Sequence, residues 1–88
     1  MDENTFIISY DLHDGNYEEL INAIKSYGTW AHITESTWAI VTSKEATEVR
    51  DDLNEHLPEG SRLLVVKSGS VAAWNHVICS NKWLKKNL

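Results

Sequence analysis

The sequence predicts one small α+β domain, built in the order β-α-β-β-α-β and closed by a short C-terminal strand and helix. Three observations predict it. Apolar residues alternate at period two in short runs, and they recur at helical spacing in two longer segments. Turn residues (Asp14-Gly15, Gly28, Pro58-Glu59-Gly60 and Ser68-Gly69-Ser70) fall between these runs. The chain has 88 residues, which fit a single domain over 1–88 and leave no room for a second.

The first strand is expected over Thr5 to Leu12, with Phe6, Ile8, Tyr10 and Leu12 on one face and Ile7, Ser9 and Asp11 on the other. Asn16 to Tyr27 then reads as a helix. Tyr17, Leu20, Ile21, Ile24 and Tyr27 form its apolar stripe, Asn16 is its N-cap and Gly28 its stop. Two β-rich runs, Thr29 to Thr34 and Thr37 to Thr42, meet at Glu35-Ser36 and predict a hairpin. Thr42 and Glu45 have capping-box spacing, so the second helix is expected to start at Thr42 or Ser43. Its buried stripe is Ala46, Val49, Leu53 and Leu57.

Arg62 to Lys67 carries four consecutive aliphatics and predicts a fourth strand buried on both faces. Val71 to Asn75 reads as a short added strand, and Ser80 to Leu88 as a capped helix with Trp83 and Leu84 turned inward. This tail is expected to cover a sheet edge or to dock on a partner subunit. The whole order is the ferredoxin-like arrangement.

The net charge is −5, from 13 acidic and 8 basic residues, and it excludes a broad phosphate-binding footprint. Lys82, Lys85 and Lys86 crowd the C-terminus, while the first 24 residues hold no Lys or Arg, so only a local basic patch is available. Cys79 is the lone cysteine and cannot form an intrachain disulfide. With no signal-peptide pattern and no long apolar run, the expectation is a cytoplasmic protein that makes no use of a membrane.

Most residues that carry chemistry elsewhere read here as structural. His32 lies in a strand beside Trp30 and reads as a packed or interface residue. His56 and His76 have no partner at metal-ligand spacing. Cys79 reads as a small buried thiol. Ser9, Ser36, Ser68 and Ser70 form no nucleophile elbow, and Ser68-Gly69-Ser70 lacks the helix and Lys of a phosphate loop. Trp30, Trp38, Trp74 and Trp83 lack interleaved Arg or Lys, so they read as core or dimer packing rather than base-stacking platforms. No glycine-rich loop supports a small-ligand sensor.

One pattern goes further. The first strand ends in Tyr10-Asp11, the first helix ends in Tyr27-Gly28, and Ser36-Thr37-Trp38 opens the returning strand of the hairpin. Together with the element order, this series resembles the Cas-two family of CRISPR-associated proteins. The closing Trp-Leu-Lys-Lys-Asn-Leu of residues 83 to 88 is similar to that of the small stand-alone bacterial proteins labelled SinR-like. The VapD toxins, small ribonucleases of similar fold, are a further comparison.

The resemblance implies a homodimer that acts on or beside nucleic acid, some family members being metal-dependent nucleases and others structural partners of an integrase. By position, it makes Asp11 the catalytic carboxylate and metal ligand, for Mg²⁺ or Mn²⁺, with two copies of Asp11 brought together at the dimer axis. One carboxylate per chain is too little for Mg²⁺, and a two-fold axis supplies the second. Read without the resemblance, Asp11 opens a loop and caps it by local hydrogen bonds. The basic residues that the family usually carries after this aspartate are replaced by His13 and Asp14. That departure and the acidic charge favour the alternative, a non-catalytic dimeric interaction module with a protein partner. His13 itself reads as a general base beside the carboxylates or as a solvated loop residue.

Overall fold

The computed structural model describes residues 2–12, 17–69 and 71–88. Its elements in chain order are β1 (Asn4–Asp11), α1 (Glu18–Lys25), β2 (Trp30–Thr34), β3 (Thr37–Thr42), α2 (Ala46–Asn54), β4 (Arg62–Lys67) and α3 (Asn81–Asn87). The class is α+β. All strand pairs are antiparallel, and the sheet order is β2-β3-β1-β4, so β1 is central and β4 lies at an edge.

The two faces of the sheet carry different layers, and the alternation of β1 decides which residue meets which. Phe6, Ile8 and Tyr10 join Trp38 and Ile40 on one face, where Leu20 and Ile24 of α1 and Val49 and Leu53 of α2 close over them. Burying each such side chain contributes roughly 1.5–3 kcal/mol. Ile7 projects to the other face, where Ile33, Ala39 and Leu84 are buried and Trp74, Val77, Cys79 and Trp83 pack around them. The C-terminal tail therefore lies across a sheet face rather than along an edge. It is fastened there by Thr5 Oγ1, which donates to the Asn87 carbonyl at 2.6 Å, and by the Ile78 N–H, which donates to the Ile33 carbonyl at 2.9 Å.

Helix starts differ from expectation. The Asn16 cap and the Asp14-Gly15 turn lie outside the described residues, as does Ser70. α1 begins at Glu18 behind Tyr17, and its Glu18 and Glu19 at the start and Lys25 at the end suit the helix dipole. The capping box of α2 is Glu45 with Glu48, three residues later than the Thr42–Glu45 pair expected. The Glu45 N–H donates to Glu48 Oε1 at 3.0 Å, while Thr42 stays buried at the end of β3. Gly28 ends the first helical segment at φ +90°, a left-handed turn that glycine enters without steric cost.

β4 corrects the sequence reading most. Its bounds are as expected, but it is not buried on both faces. Leu63 and Val65 pack against the helix layer, whereas Leu64 is 58% and Val66 45% exposed. The cause is position, because β4 is an edge strand and the tail layer stops short of it. Val71 to Asn75 forms no strand; the tail runs irregularly to Ser80, whose hydroxyl accepts from the Trp83 N–H and caps α3 as expected. No helix among the described residues is long and apolar enough to cross a membrane.

Candidate functional site

Asp11 is the last residue of β1, and the antiparallel register sets Arg62, the first residue of β4, directly beside it. Both side chains are exposed, and Arg62 Nη1 donates to Asp11 Oδ2 at 2.9 Å. Alternation places Asp11, Ser9 and Ile7 of β1 on the face away from α1 and α2, with Arg62, Leu64 and Val66 of β4 opposite them in register. A shallow concavity of about 250 Å³ opens here, lined by Ser9, Tyr10, Asp11, Arg62, Leu63 and Leu64.

One chain offers a metal little at this point. A single carboxylate faces solvent and already accepts from a guanidinium. Among the described residues, no group of three or more His, Cys, Asp or Glu side chains could hold a metal ion. A divalent cation at Asp11 would need the arginine to swing aside and further oxygens from water, phosphate or a second copy.

His13 and Asp14, the loop residues read as a base or a solvated turn, lie outside the described residues. His32 stacks on Trp38, with ring centroids 4.1 Å apart and planes 13° apart, which makes it a packing residue. His56 Nδ1 lies 2.9 Å from Glu19 Oε1, tying the turn after α2 to α1, and His76 is exposed on the tail. Cys79 is a free thiol packed among the tail residues. The tryptophans serve packing: Trp38 is buried with its Nε1 donating to the Tyr10 hydroxyl at 3.1 Å, and Trp30 tilts onto it beneath Lys25. Trp74 Nε1 donates to Asn81 Oδ1 at 3.0 Å and so anchors the tail to the start of α3.

A polar groove of about 710 Å³ between α1 and α2 escaped the sequence reading. Inside it the Tyr27 hydroxyl donates to Asp52 Oδ2 at 2.9 Å, and Lys44 Nζ donates to the same oxygen at 2.6 Å. The lysine first, and then the tyrosine, hold the Asp52 carboxyl below its ordinary range. Burial, followed by the carboxylate beside it, pushes the Tyr27 hydroxyl up. Asp52 sits one position before Leu53 on α2, at the flank of the buried stripe, and that placement was the signal available. The cluster is internally paired and reads as a clamp between the end of α1 and the body of α2.

The chain matches no protein-family model, no curated protein and no solved structure.

Proposed function

We propose that the chain is a Cas-two-like homodimeric protein of ferredoxin-like fold, cytoplasmic, that acts on nucleic acid with Mg²⁺ or Mn²⁺ held by Asp11. The fold part is supported by the strand order β2-β3-β1-β4 with α1 and α2 on one face. The observation that carries the activity is the position of Asp11, a solvent-facing carboxylate at the end of the central strand, on the sheet face that the helices leave open. A two-fold axis near that face would bring the two carboxylates together, a donor pair that suits a hard divalent cation beside phosphate oxygens and water. Bound there, such a cation would polarise a phosphate or lower the pKa of a water. Asp11 would anchor it, and Arg62, released from its ion pair, would be free to meet a phosphate bidentately.

A second reading, a non-catalytic dimeric module that binds a protein partner, is favoured by the Asp11–Arg62 contact itself and by the net charge of −5. A cleavage assay separates the two. Labelled single- and double-stranded RNA and DNA are incubated with wild type and Asp11→Ala, in Mg²⁺ or Mn²⁺ and in chelator. Metal-dependent cleavage that the substitution abolishes supports the nuclease. A folded dimer that cleaves nothing leaves the module.

A further inference from the structure

The sheet has two edges: β4, beside Asp11, and β2 on the far side. The Val41 N–H donates to the Thr29 carbonyl at 3.0 Å, so Thr29 and, two residues on, Ala31 are the positions that bond toward β3. Trp30 and His32 therefore turn their backbone N–H and C=O groups outward, and among the described residues no loop or tail group takes them up. The tail closes this edge only at its end, where the Ile78 N–H meets the Ile33 carbonyl at 2.9 Å. Edges are commonly blunted by charges, proline or a covering segment. This one is flanked instead by apolar surface, with Trp30 37% and Ile78 61% exposed. A concavity of about 280 Å³ opens between the Trp30–His32 backbone and Ile78, Cys79 and Trp83 of the tail.

We propose that the open edge of β2 binds an extended peptide segment of another protein, added antiparallel as a fifth strand, with an aliphatic side chain in the tail-side concavity and an acidic one beside Lys25. The site lies across the sheet from Asp11 and goes beyond either reading of that residue. Antiparallel addition continues the pattern of every other pair in the sheet. Peptide residues opposite Trp30 and His32 then exchange backbone bonds with them, and the residue between, opposite Ala31, points its own N–H to solvent. Residues opposed across a sheet project to the same face. Ala31 faces the tail layer with its register partner Ala39, and its small side chain leaves the concavity open to an aliphatic neighbour.

Charge selects the second side chain. Trp30 faces the helix layer with its register partner Ile40, and Lys25 Nζ stands 5.0 Å from its ring centroid. Lys25 is exposed and pairs with no described carboxylate, so a peptide acid opposite Trp30 meets a free ammonium. On the tail side, α3 carries Trp83 among Lys82, Lys85 and Lys86 and holds no acidic residue, which also suits an acidic segment. A nucleic-acid strand fits this edge less well. Trp30 already leans on Trp38 with Lys25 over its ring, and alternating N–H and C=O groups match a peptide backbone rather than a phosphodiester.

The test is an NMR titration of the isotope-labelled full chain with the blocked peptide acetyl-Ser-Thr-Ile-Glu-Ser-amide at millimolar concentration. Its Thr, Ile and Glu are placed opposite His32, Ala31 and Trp30. The amides of Trp30 and His32 and the indole of Trp83 are expected to shift, while Asp11 and Arg62 stay still. N-methylation of the peptide Glu removes the bond to the Trp30 carbonyl and is expected to abolish the shifts. N-methylation of the Ile alters an N–H that faces solvent and is expected to preserve them. Replacing the Glu by Gln should weaken binding roughly two- to fivefold, the range of an exposed ion pair. Lys25→Glu should reverse the preference, so that a peptide with Lys at that position binds better than the Glu peptide. If Lys25→Glu fails to fold, the two N-methylated peptides decide the case on wild type alone. Still amides at Trp30 and His32, or equal binding by both N-methylated peptides, overturn the proposal. So do shifts at these amides that follow protein concentration without peptide, which assign the edge to a second copy. Stronger shifts with oligothymidylate than with peptide assign it to nucleic acid and overturn the proposal as well.

Discussion

Arg62 Nη1 and Asp11 Oδ2 stand 2.9 Å apart across the terminal register pair of β1 and β4, so the carboxylate proposed for metal chemistry is held by a cation from its own chain. The side chains are 84% and 68% exposed, and exposed pairs contribute at most about 1 kcal/mol. The contact matters less for stability than for competition, because a divalent cation and the guanidinium want the same oxygens.

Arg62→Ala is therefore expected to leave the melting temperature nearly unchanged while raising Mn²⁺ affinity above wild type. Titration calorimetry or Mn²⁺ electron paramagnetic resonance reads the difference. Asp11→Ala should bind no Mn²⁺ at this site. Equal affinity in wild type and Arg62→Ala would mean that the arginine does not guard the carboxylate.

The Tyr27–Asp52–Lys44 cluster makes stability depend on pH at both extremes, with opposite signs. Asp52 has a depressed folded-state pKa, so its contribution is present above the unfolded carboxyl pKa of about 3.9 and is lost as pH falls below it. Tyr27 is raised, so its contribution is full below the unfolded phenol pKa of about 10 and is lost as pH climbs above it. Lys44 is also raised, by its hydrogen bond to Asp52, and loses its contribution in the same alkaline direction. Asp52→Asn should flatten the acid limb of a urea-denaturation profile. Tyr27→Phe should flatten the alkaline limb only in part, because Lys44 remains. A profile unchanged by either substitution would show that the clamp stores no pH-dependent stability.

Much of this was legible in the sequence. Period-two alternation in Phe6, Ile8 and Tyr10 fixed the inner face of β1, and the bounds of β3 and β4 follow from their β-branched runs. The Ser80 cap was equally plain, since a lone Ser before Trp83-Leu84 has one obvious use. Partner choice was not legible. Four aliphatics in β4 look the same whether a layer covers both faces or one, and only the path of the tail decides it. The Thr42–Glu45 spacing mimicked a capping box because Thr42 ends a strand three residues before the real one opens at Glu45. At the candidate site, the residue type and position of Asp11 were readable. Its engagement by Arg62, 51 positions away, depends on the β1–β4 register.

Glycine conformations give a sharper test of the backbone. Gly28 has φ +90° and open space where a Cβ would sit, so Gly28→Ala pays only the left-handed backbone penalty. That cost is about 1–2 kcal/mol. Gly69 has the same open space without a positive φ, so Gly69→Ala should be neutral or slightly stabilising. Paired urea melts of the two variants should therefore differ in sign or by at least about 1 kcal/mol. Equal stabilities would refute the turn assigned at the end of the α1 segment.

The tail's hold on the sheet rests on Leu84, which is fully buried between Ile33 and Ala39 while most of α3 faces solvent. With seven residues, α3 is too short to persist as a helix away from the sheet. Truncating its one fully buried side chain should therefore release the segment rather than merely soften it. Leu84→Ala removes contacts worth about 2–5 kcal/mol in a packed core. In this chain the loss is expected to appear locally, as faster hydrogen exchange and proteolysis after Ser80 and a red-shifted tryptophan emission from Trp74 and Trp83. The helix-side core of Phe6, Ile8, Leu20, Val49 and Leu53 makes no contact with Leu84 within its cluster and should stay protected. If exchange rises uniformly through β1 and α2 as well, the two faces of the sheet unfold as one unit, and the tail is part of the core rather than a cover laid upon it.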